Sequence, residues 1–507
     1  MAARGTSANI PAPVGGWNAR DSLGAMPALD APILINWYPA TTECVLRSGY
    51  TEYATGFSGQ VESILDYYGG GSRKLFAVCG GEIFDISSGG AIGAASVAGL
   101  SNSRFEHINV ATSGGNFLMA LNGQDKLRYF DGTNWSADGG TYTITGINTQ
   151  NCSQINLFKN RVWLVQTNTL KAWYLPTSSI AGAANALDLS GVATKGGYLV
   201  AMGTWTIDAG QGVDDYAVFV TNRGQVIVYQ GTDPASSSTW ALKGIWDIGS
   251  PVGRRCFLKF AGDILIICQD GVYPMSGALQ SSRVNPKVAL TDKIQYAMSN
   301  AVTTYGDNFG WDLIYFPREN QLYLNVPVQE GQSQEQYAMN TINKSWCKYT
   351  GWNANCWRLY QDAPYFGGNG YVGKAWDGLS DNGNQINADA LQSFQNFGTP
   401  KRKRWTLAKP YLRSNGNPSL LINVNVDFDL SDTTAPLSFT PPTYAAWDSP
   451  TSLWDSSFWG GDLSVIDYWQ GINGEGEYAG VRLKTSTSGI ETRWVSTTLV
   501  MESGGIL

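Results

Sequence analysis

The sequence predicts an all-β chain organised around a β-propeller of six or seven blades, with insertions. Three observations predict it. Gly fills 59 of 507 positions, well above a background of about 7%. Aromatic residues make up 12% of the chain and charged residues only 15%, against roughly 25% charged in an ordinary soluble domain. A unit of apolar strand, Gly- or Asn-containing turn and second apolar strand recurs along the chain. Gly and Asn supply the positive φ that tight hairpins need, and aromatic and β-branched residues suit the packed faces of sheets. Disorder is excluded, because it goes with few aromatics and high charge.

Residues 1–60 are rich in Pro and Gly, which argues against long helices and central strands. They are expected to form an extended arm that clasps a neighbour, with Trp17, Arg20, Asp21, Trp37 and Tyr38 as interface candidates. Residues 61–378 hold the repeats. One marker from the first strand of each hairpin gives Leu75, Phe117, Val162, Ala217, Ile264, Leu322 and Tyr365. The gaps are 42, 45, 55, 47, 58 and 43 residues, close to the span of about 40–50 residues that a four-stranded blade occupies. The alternative is two or three unrelated β-sandwiches; the regular spacing favours the propeller. The fourth and sixth units are expected to carry insertions. Residues 379–404, rich in Asn and Gln at their start, read as a linker or loop. Residues 405–507 alternate again, as in Leu420–Asp429 and Glu491–Val500, and predict a separate β-sandwich or barrel-like domain.

The functional inventory is short. The net charge is −7 and there is one histidine, His107. No two-His metal site can form within one chain, and any Ser-His-Asp arrangement would run through His107. That residue lies in Phe105–Val110, which alternates like a strand, so it reads as a strand residue, buried or half-exposed. Neither a Gly-x-Ser-x-Gly elbow nor a phosphate-binding loop is present. The seven cysteines show no Cys-x-x-Cys spacing and read as reduced, buried thiols; pairing of Cys347 with Cys356 across a turn stays open. No stretch approaches 18 apolar residues, so no membrane span is expected.

Two acid pairs, Asp214-Asp215 and Asp427 with Asp429, have the makings of a glycosidase pair in an aromatic cleft. They read more simply as turn caps or solvated faces. The Trp-Asp-Ser repeat around Trp447, Trp454 and Trp459 reads as an interface or packing loop rather than a sugar platform. The run Lys401, Arg402, Lys403, Arg404 is the one concentrated positive charge. Such a run touches phosphates or an acidic partner, or is simply a solvated loop.

Motifs along most of the chain resemble a family of bacteriophage virion proteins. They begin with Pro13-x-Gly-Gly16, Arg20-Asp21, Met26-Pro27 and Asp30-Ala31, then Asn36-Trp-Tyr-Pro39 and Val45–Tyr50. They continue through Phe158–Trp163, Trp173–Pro176, Lys195–Tyr198, Gly231–Pro234 and Gly253-Arg-Arg-Cys256 to Glu502–Leu507. The family is that of the tail nozzle, or tail hub, proteins of short-tailed phages. The resemblance implies a structural virion subunit, not an enzyme and without a cofactor, in a homo-oligomeric ring of six below the portal–adaptor complex. Its expected partners are the adaptor, tail fibre or needle and plug proteins, and double-stranded DNA in transit. Its expected location is the virion tail, assembled in the host cytoplasm. The other functions consistent with the residues are a carbohydrate- or receptor-binding tail protein and a propeller-fold glycoside hydrolase.

Overall fold

Each apolar repeat becomes a twisted antiparallel sheet, and seven such sheets follow one another around a ring. The computed structural model describes residues 5–208, 213–260, 262–278, 286–432 and 463–504. Blade 2 shows the pattern: Glu106–Thr112, Gly115–Leu121, Arg128–Phe130 and Trp135–Ala137 pair in sequence order. Blades 3, 4 and 6 repeat it, beginning with Cys152–Phe158, Leu199–Asp208 and Asp312–Phe316. The seven marker residues all lie in the second strand of their blades. The innermost strands touch in succession around the ring. Apolar side chains from neighbouring blades fill the spaces between them, such as Leu65, Phe76 and Leu118 between blades 1 and 2.

Closure depends on one strand. Tyr50–Gly69 runs for 20 residues. Its first half pairs with Asn369–Ala375 as the outer strand of blade 7, and its second half pairs with Ser72–Cys79 as the inner strand of blade 1. Hydrogen bonds between the two ends of the repeat region therefore lock the ring. The approach is close: a Cβ on Gly367 would lie 2.2 Å from the Val61 carbonyl oxygen.

The expected insertions fall differently. Blade 5 has three strands among the described residues, Phe257–Phe260, Asp263–Cys268 and Gly271–Pro274. The extra length before blade 6 contains the helix Gln295–Tyr305, which packs Met298, Ala301 and Val302 into the core. The other long interval lies between the second strands of blades 3 and 4, and residues 189–198 link those blades outside any strand.

The second body is a β-sandwich. One sheet contains Lys403–Ser414 and Thr492–Ser503 at its centre. The other continues blade 6 through Ile33–Ile35, Ile386–Leu391, Ala479–Thr487 and Ser419–Val426. Trp37, Trp405 and Trp494 are fully buried between the sheets. Each indole removes about 200 Å² from water, worth about 5 kcal/mol at about 25 cal/mol/Å².

Three expected boundaries are corrected. Residues 1–60 are not a free arm: Thr6–Pro11 pairs with 496–501 of the same chain, Trp37–Pro39 and Cys44–Leu46 extend the same sheet, and the boundary at 60 cuts through the closing strand. Residues 379–404 are not a linker, because Ile386–Leu391 lies between two other strands of the second sheet. The C-terminal body is not separate from the propeller, because its sheet is continuous with blade 6. Arg47 ties these parts together. Its buried guanidinium bonds Asn36 Oδ1 at 2.9 Å, Thr350 O at 2.6 Å and both carboxylate oxygens of Asp381, and lies over the Trp352 ring.

Candidate functional site

All seven inner strands run in one direction, so their first residues gather at one face of the ring. Glu62, Arg104, Glu106, Arg255 and Asp312 meet there at the entrance to the axial tunnel. Arg104 binds Glu62 at 2.9 Å and Glu330 at 2.5 Å, and stacks on Phe309 with its guanidinium 4.3 Å from the ring centre. Arg255 lies over the same ring, binds Glu106 at 3.0 Å and donates to Ser63 Oγ and Phe105 O, both at 2.9 Å. Asp312 stands 4.0 Å from Arg255. Burial and the nearby Glu106 outweigh Arg255, so the Asp312 carboxyl is pushed up to about 7. The tunnel cavity at this level is about 430 Å³.

Deeper in the tunnel, His107 Nε2 lies 2.7 Å from Asp66 Oδ1, and Arg358 pairs with the same carboxylate. Burial alone would raise Asp66, but Arg358 and His107 more than offset it and hold the carboxyl at about 2. Burial, with the Arg358 charge, pushes the His107 imidazole down against the pull of Asp66. His107 is therefore a buried strand residue with a structural ion partner.

Above the tunnel entrance, loops of blades 1 to 5 frame a cleft of about 960 Å³. Its lining is mainly amide and hydroxyl side chains, with Arg104 and Arg254 at its base. Arg254 was visible in the sequence within Gly253-Arg-Arg-Cys256, but no local pattern there marks it as a site residue. The cleft exists because loops more than 100 residues apart converge.

The predicted site residues are dispersed. Trp37 is fully buried beside Trp494, ring centres 6.0 Å apart, and Tyr38 is buried with its hydroxyl donating to Asn320 O at 3.3 Å. Neither can serve as an interface residue in this fold, since both are already spent on the chain's own core. Trp17 is half-buried, edge-on to Tyr337. Arg20 and Asp21 remain at the surface, paired with each other at 2.8 Å, and Arg20 also meets Asp292. Lys401, Arg402 and Arg404 are exposed. Lys403 is not available to phosphate: it is buried, and its ammonium donates to the carbonyls of Thr399, Lys401 and Glu477. Trp447, Trp454 and Trp459 lie outside the described residues.

Three of the four paired acids resolve as structural groups. Asp215 binds Lys159 at 2.6 Å; the side chain of Asp214 is outside the described set. Asp427 accepts from the backbone of Glu477 and Tyr478, and Asp429 caps Ser431. All seven cysteines are buried and free, including Cys347 and Cys356. No helix among the described residues is long and apolar enough to cross a membrane, and no cluster of three metal-ligating side chains occurs among them.

These features define a seven-bladed β-propeller fused to a β-sandwich. No family model and no curated protein sequence matches the chain. Similar solved structures include the BBS1 N-terminal domain in complex with ARL6, with a TM-score of 0.37 at 9% identity over 68% of this chain and 94% of that one. A putative 6-phosphogluconolactonase from Bacteroides fragilis gives 0.36 at 11% identity over 66% and 91%. The Swd1 β-propeller domain from Myceliophteria thermophila gives 0.36 at 11% identity over 63% and 98%.

Proposed function

We propose that the chain is a structural subunit of a phage tail nozzle, a ring of six that docks below the portal–adaptor complex and carries the genome channel. The observation that carries this reading is the ordered series of family-like motifs running from Pro13 to Leu507. Three features support it. Of the acids that a hydrolase reading would use, Asp215, Asp427 and Asp429 are committed to turns and an ion pair. The sandwich also carries exposed apolar side chains on one sheet, with Val465 and Trp469 61% and 47% exposed. In this reading these side chains meet a neighbouring subunit. The acidic balance of the chain suits a channel that passes DNA without holding it.

Electron microscopy of the purified chain, or of virions, tests the reading. A six-fold ring with a channel wide enough for a duplex is expected; a monomer or a trimeric spike overturns it. The double variant Val465→Asp, Trp469→Asp should abolish ring formation while leaving the thermal midpoint within a few degrees of the wild type, because the side chains are exposed. A normal ring from that variant removes these side chains from the interface.

A further inference from the structure

Two groups at the cleft above the tunnel are left with unused bonding capacity. Arg254 is an arginine with five N–H donors, yet its one hydrogen bond among the described residues is a long 3.4 Å contact to the Arg104 carbonyl. No carboxylate lies within ion-pair distance of it among those residues, although Arg104 and Arg255 on either side are both paired. The Thr167 hydroxyl, on the turn between the second and third strands of blade 3, is buried and has no partner among the described residues. That hydroxyl keeps capacity for one more hydrogen bond at the cleft wall.

We propose that this cleft is a binding site for an acidic saccharide. The volume of about 960 Å³ falls within the usual range of small-ligand sites, about 300–1,000 Å³. Gln124, Ser153, Asn168 and Asn222 add amides and hydroxyls to the wall. Amide groups offer donor and acceptor together, as each sugar hydroxyl does. Tyr198, 38% exposed at the rim, presents a ring on which a sugar face can pack. The charge count selects the acid group. Arg254 offers one unpaired positive charge, while Glu62 in the same lining is already held by Arg104. That balance holds one carboxylate and disfavours a polyanion such as a nucleic acid strand. The inference does not depend on the ring reading: a monomer that binds acidic sugar overturns the ring alone, and a ring that does not bind overturns the cleft alone.

Isothermal titration calorimetry on the full chain tests it, with galacturonate, glucuronate and sialic acid oligomers as probes, neutral galactose oligomers as controls and an Asp/Glu tetrapeptide as a competitor class. At least one acidic oligosaccharide should bind tenfold or more tightly than the neutral oligomer. Arg254→Gln should remove that preference. Thr167→Val should weaken binding several-fold with an unchanged or raised thermal midpoint, because removing an unsatisfied buried hydroxyl does not destabilise. Binding by none of the acidic sugars, equal affinity for the neutral oligomer or the peptide, or affinities unmoved by both variants overturns the proposal.

Discussion

Asp312 and Asp66 show how the same residue type is driven in opposite directions inside one tunnel. Asp312, short of a dedicated cation, is pushed up to about 7, whereas Asp66, between Arg358 and His107, is held at about 2. A carboxyl raised in the folded state keeps a proton that the unfolded chain releases. Its contribution is therefore present at low pH and lost as pH rises from about 4 to about 7. The Asp66 contribution has the opposite sign, present above the unfolded value and lost as pH falls toward 2. Neutral His107 likewise stabilises above the unfolded imidazole value and ceases to do so as pH falls below it. Asp312→Asn should consequently lose less stability than the wild type between pH 5 and pH 7.5, by on the order of 1–3 kcal/mol, read from denaturant unfolding at the two pH values. An identical pH dependence in variant and wild type refutes this account. Arg47 makes a second residue-scale case. Arg47→Ala strands the buried Asp381 carboxylate and empties the space over Trp352, so a loss of about 3–5 kcal/mol is expected in chemical denaturation. The sequence displayed Arg47 within a motif but not its role, since its partners lie 11, 303 and 334 residues away.

The strand Tyr50–Gly69 is the element on which the ring depends, because it belongs to two blades at once. Gly367→Ala places a methyl group against the Val61 carbonyl and the Cys356 sulfur, both of which are fixed by sheet bonding. It should destabilise by about 1–3 kcal/mol through overpacking. Native-state hydrogen exchange should show the extra opening first in 50–69 and 369–375 rather than in blades 3 and 4; uniform loss of protection would count against closure at this seam. The blades themselves were legible in the sequence, because a strand with a buried face and a hairpin turn are both short-range patterns. The elements that were misread are those whose partners lie far off in the chain. Thr6–Pro11 looks like a loose arm until Thr492–Ser503 supplies the hydrogen bonds, and Ile386–Leu391 reads as linker until strands on both sides define it. The linker's Asn and Gln content hid it further, although Gln392 is buried and bonds the Pro11 carbonyl at 2.6 Å.

At the scale of the whole molecule, the N-terminal segment is stitched into the C-terminal sandwich, and the sandwich sheet grows from blade 6. Forces applied to one body therefore pass to the other through hydrogen-bonded backbone. Among the described residues, the surface open to partners includes Val465 and Trp469, the exposed Lys401, Arg402 and Arg404, and the cleft over the tunnel entrance. The sequence by itself determined the all-β class, the repeat period and the exclusion of histidine-based metal chemistry, because composition and nearest-neighbour periodicity are local properties of the chain. Only the tertiary structure decided that there are seven blades, that the arm is internal, and that Trp37, Tyr38 and Lys403 are buried while Arg254 and Thr167 line a cleft. Those outcomes depend on contacts between residues tens to hundreds of positions apart, and burial at such contacts, not residue type, decides which side chains are left to meet a partner.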